Sequence, residues 1–364
     1  MRLKKEADKM PELRKDYFTR KLVIVSPERT MRPFEFKNRN SSKDEEQRRI
    51  TPKECPFCPG NESMTPPAEL VLVTRENSLL KLSDSEGDRV KDWSVRYFPN
   101  RYPAVSPDSE VKYSDVPLQG EPAFGYHHVM VVTPDHSATF SSLPVEQWID
   151  ILATLQDRIR WLYSKKTVGY VSVFVNSGSE AGASFSHPHL QTVTLTKLPP
   201  SIEEEAESVH ESMSELGMCP MCKVIGIEIS GPRQILSTEN FVAFAPWAST
   251  HAYEFWIFPK RHESSFLKVS QKEIQDLATM LRSTLGALST VLHEPAFNMG
   301  FHISSEKKTT KQIHWHIEVY PQVIKWAGLE KGSGVFINPV PPESAAETLA
   351  AASRKVLAEL IGIT

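Results

Sequence analysis

The sequence predicts an α+β protein made of two tandem units, each an antiparallel sheet with helices packed on its faces. Three paired observations carry this: two Cys-x-x-Cys motifs, two alternating apolar runs that each end in proline and then histidine, and two closing His-x-His segments. They recur in the same order along 364 residues, a length comfortable for two domains of average size.

The first unit opens on Cys55-Pro-Phe-Cys58 and the second on Cys219-Pro-Met-Cys222. The run from Tyr126 to Leu143 is echoed by Tyr253 to Val269. In each copy a histidine follows the proline within three residues, His136 and His262, and a phenylalanine lies four positions further on. Amphipathic stretches come next, at 145–162 and 271–288. In the first, Trp148, Ile151, Leu152, Leu155, Ile159 and Leu162 have helical spacing. Strand-like segments follow at 170–176 and 297–303, and the copies close on His187-Pro-His189 and His314-Trp-His316. His136 precedes His187 by 51 residues, and His262 precedes His314 by 52. The expected domains are 1–200 and 201–364, divided by an extended, polar crossing segment at Pro199-Pro200 and the acidic run Glu203 to Glu205. The Ala-rich tail from Glu343 to Ile361 is expected to form a terminal helix.

Apolar residues make up 40% of the chain and charged residues 24%, ordinary values for a globular protein. The formal net charge of −3 gives no electrostatic reason to expect nucleic acid or an anionic membrane as a partner. Small anionic substrates stay compatible with it, because a local arginine cluster can attract them. No apolar stretch approaches 18 residues, and Met1 to Asp16 is charged without an apolar core, so a soluble, cytoplasmic protein is expected.

Four cysteines are too few for a disulfide scaffold, and two spaced pairs suggest metal or redox chemistry. Redox use would want each pair to open a helix after a strand. Proline within each pair, and the turn residues Pro59-Gly60-Asn61 after the first, point instead to a metal-binding knuckle; redox and unliganded thiols are the alternatives. Zinc takes four ligands in a tetrahedron, commonly two thiolates and two imidazoles. The repeat offers Cys55, Cys58, His136 and His187 in one half and Cys219, Cys222, His262 and His314 in the other. Such closed sites leave no position for substrate, so two structural Zn2+ ions are expected. In the second site, His316 in place of His314, or one water ligand, is the alternative.

Side chains two apart on a strand share a face, which places His187, His189 and Gln191 together. With His187 on a metal, its carbonyl can take a proton from one nitrogen of His189, leaving the other nitrogen free to attack phosphorus. Gln191 can then donate to a phosphoryl oxygen as charge builds. Upstream, Asn176 to Ser184 is a small-residue loop whose backbone can approach an anion, although most such loops are only connections.

With these residues in place, the sequence resembles the galactose-1-phosphate uridylyltransferase family, the branch of the histidine-triad superfamily that fuses two such folds in one chain. The residues that carry the resemblance are Arg29 and Arg32 in SPERTMRP, Cys55, Cys58, Asn100 in FPNRYPAV, His136 in TPDHS, and Asn176 to Gln191. It spans about Pro11 to Leu349. The resemblance implies a ping-pong reaction in which His189 takes the nucleotidyl group from a nucleotide sugar, with Gln191 assisting, and passes it to a second phosphate. It also implies that Arg29, Arg32, Asn100, Asn176, Ser184 and Gln191 bind nucleotide or phosphates, with the arginines reaching across a homodimer.

The His-Pro-His wording favours uridylyl transfer from UDP-glucose to a hexose 1-phosphate. However, the hexose-binding Tyr-Glu pair of those enzymes has no counterpart between Gly332 and Glu343. That stretch is closer to the family's ADP-glucose:phosphate adenylyltransferases, and Arg101 stands where uridylyl enzymes often carry aspartate. Nucleotide hydrolysis and a non-catalytic zinc module are the competing readings. His316 sits at the nucleophile's repeat position behind a loop, Ser304 to Lys311, with three lysines. It reads as a structural remnant, with a phosphate contact from the lysines as the alternative.

Overall fold

The structure, a computed structural model, describes residues 10–31, 50–75, 78–108, 117–118, 120–307, 310 and 312–363. The N-terminal strands β1 (Glu12–Lys15) and β2 (Leu22–Val25) form a hairpin. The first half then supplies β3 (Leu70–Arg75), β4 (Ser78–Leu82), β5 (Trp93–Pro99), β6 (His127–Val131), helix α1 (Val145–Tyr163), β7 (Tyr170–Ser177) and β8 (His189–Leu195). Two helices lead into the second half, α2 (Pro200–Leu216) and α3 (Pro220–Glu228). There follow β9 (Gln234–Ser237), β10 (Phe241–Phe244), β11 (Phe255–Pro259), α4 (Gln271–Leu292), β12 (Phe297–His302) and β13 (His316–Pro321). The chain ends in α5 (Gly328–Ser333), β14 (Val335–Asn338) and α6 (Pro342–Leu360).

Among the described residues, eleven strands form one sheet in the order β4-β3-β5-β6-β8-β7-β12-β13-β11-β10-β9. Every neighbouring pair is antiparallel. The order runs outward in the same sense from the β7–β12 seam, so β8 and β13 occupy equivalent places. Helices α1 and α4 pack on the sheet and on each other. The apolar stripe of α1 is buried as its spacing requires, with Trp148, Ile151, Leu152, Leu155, Ile159 and Leu162 all inside. A capping box between Ser270 and Glu273 starts α4.

The crossing segment differs from its expectation. Pro199 and Pro200 do not begin an extended polar stretch but open helix α2, with a proline at its first turn, where no N–H is needed. Ile202, Ala206 and Val209 repeat at helical spacing and are buried, and Glu205 is buried with them. The second cysteine pair differs too. Cys219 caps α3 and Pro220 begins it, whereas Cys55 and Cys58 lie in irregular chain outside any helix or strand.

Strand β14 pairs in parallel with β2, so chain near the N-terminus joins chain near the C-terminus in a small sheet. The Arg14 guanidinium lies 3.7 Å over the Trp247 ring and 3.1 Å from Glu343, and the Tyr17 hydroxyl donates to Glu228. This fastens the N-terminal segment to the second half. Among the described residues, no helix is long and apolar enough to cross a membrane.

Candidate active site and metal centres

Cys55, Cys58, His136 and His187 bring one ligand atom each within 4.8 Å of one another, and so do Cys219, Cys222, His262 and His314. In the first group, Cys58 Sγ lies 3.2 Å from His136 Nδ1 and 3.5 Å from His187 Nδ1. In the second, Cys222 Sγ lies 3.3 Å from His262 Nδ1 and 3.5 Å from His314 Nδ1. A tetrahedral zinc with ordinary bond lengths sets sulfur–nitrogen edges at about 3.5 Å, so both groups fit. Burial, then the charge of Cys55, push the Cys58 thiol up to about 12, so holding both as thiolates calls for a cation. Burial lowers His187 to about 4 and keeps it neutral. Its Nε2–H donates to the Thr133 carbonyl at 2.8 Å, which turns the Nδ1 lone pair toward the thiols.

His187 precedes β8 and His189 begins it. His189 Nδ1–H donates to the His187 carbonyl at 2.9 Å, so a neutral ring carries its proton there and its lone pair on Nε2. Burial lowers the pKa of His189, which favours that neutral ring. Among the described residues Nε2 has no hydrogen-bond partner, in a residue that keeps 7% of its surface exposed. The Phe57 ring, from the first cysteine knuckle, stands 5.1 Å from the His189 ring and 4.9 Å from Phe185.

Strand pairing assembles the rest of this face. Phe174 pairs with Gln191, and Val129 pairs with Gln191 from the other side, so Asn176 and His127 share the face of His189 and Gln191. Asn100 leaves the end of β5, donating to Gln191 Oε1 at 3.4 Å, and His127 Nε2 lies 2.8 Å from the same oxygen. Asn176 is held across the seam, where Asn298 Nδ2 donates to its Oδ1 at 2.8 Å and Gln322 Nε2 in turn reaches Asn298 Oδ1 at 2.8 Å. The small-residue loop turns through Gly178 (φ 88°) and Gly182 (φ 83°), conformations that favour glycine. Ser184 faces a cavity of about 520 Å³ between this loop, Thr139 to Ser141, and Leu285, Leu288 and Phe297.

Arg29 is elsewhere in this chain. It is exposed, and its charge acts on Glu330 of α5. Arg32, Lys308 and Lys311 lie outside the described residues.

The second half repeats the histidine geometry and changes its surroundings. His316 Nδ1–H donates to the His314 carbonyl at 3.0 Å, as His189 does to His187. Its Nε2 lies 3.2 Å from Oε1 of Glu318, the residue at the repeat position of Gln191. His302 and Glu205 complete a buried group, with His302 Nδ1 2.8 Å from Glu205 Oε1. A carboxylate in the glutamine's place repels phosphate. His127, Phe57, Asn298 and this buried group were not singled out from the sequence. The alignment of Glu318 with Gln191 in the repeat was the available signal for the last.

A duplicated unit of antiparallel sheet, each copy closing on a His-x-His segment beside a Cys2His2 group, marks the chain as a nucleotidyltransferase built of two tandem units. The chain belongs to the galactose-1-phosphate uridylyltransferase family of that class. Residues 126–360 match the family described as a domain of unknown function, DUF4921. Over 346 residues, 93% of this chain and 92% of the relative, it is 33% identical to ADP-glucose phosphorylase of Arabidopsis thaliana. It is 31% identical to galactose-1-phosphate uridylyltransferase of Thermotoga maritima, over 93% and 98% of the two chains. The crystal structure of the Arabidopsis thaliana ADP-glucose phosphorylase with bound ADP-glucose is similar at a TM-score of 0.77, with 30% identity over 94% and 99% of the chains. A uridylyltransferase structure gives 0.71, with 28% identity over 95% and 99%.

Proposed function

We propose that the protein moves a nucleoside monophosphate from a nucleotide sugar to a second phosphate through a covalent intermediate on His189. The observation that carries this is the bond from His189 Nδ1–H to the His187 carbonyl, which leaves Nε2 unprotonated and open. The Nε2 lone pair attacks the α-phosphorus, the bond from that phosphorus to the bridging oxygen breaks, and sugar 1-phosphate leaves with the electron pair. An acceptor phosphate oxygen then attacks the same phosphorus, the phosphorus–nitrogen bond breaks, and His189 regains its lone pair. Such displacement needs mainly positioning and charge stabilisation, and the amide N–H groups of Gln191 and Asn176 suit the second task. The rings of Phe57 and Phe185 form an apolar wall suited to a nucleobase.

The two Cys2His2 groups are read as structural zinc sites. When bound, zinc would fix the strands around His187 and take no part in the transfer. Arg29 would reach the site of a second chain in a homodimer, consistent with its place beside Glu330 in its own.

UDP-glucose with a hexose 1-phosphate acceptor, and ADP-glucose with phosphate, both suit this chemistry. The stretch from Gly332 onward forms β14 against β2 and packs Phe336 on Trp326 at 4.8 Å, an arrangement compatible with either donor. The test is a matrix of UDP-glucose and ADP-glucose against galactose 1-phosphate and inorganic phosphate, followed by product chromatography. Turnover of ADP-glucose with phosphate alone fixes the adenylyl reading, and turnover of UDP-glucose with galactose 1-phosphate fixes the uridylyl one. Release of nucleoside monophosphate without either acceptor would replace both with hydrolysis.

A further inference from the structure

Gln191 can assist transfer only if its NH2 group, not its carbonyl oxygen, points at the phosphoryl group, and the amide alone does not decide which way it faces. We infer that His127 is a positioning residue that fixes the Gln191 amide with its NH2 group toward the reaction, an inference that rests on the proposed function.

The chain of contacts assigns each proton. Ala104 N–H donates to His127 Nδ1 at 3.0 Å, so Nδ1 is an acceptor and carries no proton. The ring of a neutral His127 therefore carries its proton on Nε2. That nitrogen lies 2.8 Å from Gln191 Oε1, to which it donates. Burial lowers the pKa of His127, which agrees with a neutral ring. Tyr102 N–H donates to Asn100 Oδ1 at 2.9 Å, which turns Asn100 Nδ2 inward, 3.1 Å from His127 Nε2 and 3.4 Å from the same Gln191 oxygen. With Nδ1 already an acceptor, Nε2 keeps its proton and both groups aim their N–H bonds at that oxygen. With two donors converging on Oε1, the amide cannot rotate without placing its own N–H groups against them. Gln191 Nε2 has no acceptor among the described residues and is the group left to face an anion.

The repeat gives an independent contrast. The position equivalent to His127 in the second half is Glu254, and the one equivalent to Gln191 is Glu318. There the donor and the amide have both been lost, together with the open nitrogen of the nucleophile's counterpart.

Two measurements test this in the full-length protein. The first is the rate of single-turnover label transfer from saturating α-³²P-labelled ADP-glucose or UDP-glucose onto His127→Leu, His127→Gln, Gln191→Ala and the His127→Leu/Gln191→Ala pair. His127→Leu is expected to slow transfer about 10- to 100-fold, the scale of a misplaced or missing oxyanion donor. Donor binding is expected to change far less. His127→Gln, which keeps an N–H near the lost position, is expected to restore most of the rate. In the Gln191→Ala background, His127→Leu is expected to change the rate by no more than about 2-fold, because the group it positions is gone. Equal slowing in both backgrounds, or wild-type rates for His127→Leu, would overturn the inference.

The second measurement is the ¹⁵N spectrum of histidine-labelled protein, in which His127 is expected as the Nε2–H tautomer. An Nδ1–H tautomer overturns the inference whatever the labelling shows, whereas a wild-type protein that takes no label removes the proposed function itself.

Discussion

His189 and His316 hold equivalent places in the two halves, each donating Nδ1–H to the carbonyl two residues before it, at 2.9 and 3.0 Å. They differ at the other nitrogen. That of His189 is open, and that of His316 is closed by Glu318 in a residue with no exposed surface. The two halves share the backbone device and differ in what the second nitrogen meets. His316→Asn should therefore leave covalent labelling of His189 nearly unchanged while costing stability. Removing one partner from a buried charged group costs on the order of 3 kcal/mol, which a urea midpoint measurement resolves.

The buried group around His316 should make stability depend on pH. Burial alone would lower the His302 pKa, but the charges of Glu318 and Glu205 outweigh it and raise it to about 9. Its unfolded value is about 6.5. The folded value is the higher, so the stabilisation is fully present below pH of about 6.5 and is lost as pH rises toward about 9. Wild-type protein should lose on the order of 3 kcal/mol of unfolding free energy across that window. His302→Gln should lack that slope, and urea titrations at three pH values make the comparison.

The two proposed metal centres should not be equal. His187 Nε2–H is satisfied by the Thr133 carbonyl, whereas His314 Nε2 is buried without a partner. Cys222 is partly exposed and His262 exposed, whereas Cys55, Cys58 and His187 are buried. Loss of such an outer hydrogen bond weakens metal affinity about 10- to 100-fold. A graded chelator titration followed by metal analysis should release the second ion first, with loss of labelling tracking the first ion.

The loop before the histidine pair should tolerate no side chain at its entry. Gly178 has φ 88°, and an added Cβ would come 2.6 Å from the Ala296 side chain. Gly178→Ala should cost about 1–3 kcal/mol of backbone strain, and it should slow label transfer by shifting Ser184 and Asn176. Thermal unfolding and single-turnover rates measure the two effects.

Much of the fold was legible because it is written twice. The cysteine pairs, the His136/His262 spacing and the His-x-His ends constrain one another, and the helices at 145 and 271 follow from apolar periodicity. Helix α2 was not legible as such. Paired prolines and three glutamates read locally as an extended polar link, and they outweighed the helical spacing of Ile202, Ala206 and Val209, whose burial settles the helix. His127, Phe57 and Asn298 escaped for a related reason. Each touches a partner far away in sequence, Gln191, His189 and Asn176, and pairwise register between distant strands is not a local signal.

The most direct test of the central claim is the site of covalent attachment. Protein incubated with α-³²P-labelled ADP-glucose or UDP-glucose, denatured without acid and digested, should yield one acid-labile labelled peptide containing His189. His189→Asn should yield none while staying folded with both metals. Label on another residue, or label that survives His189→Asn, would contradict it.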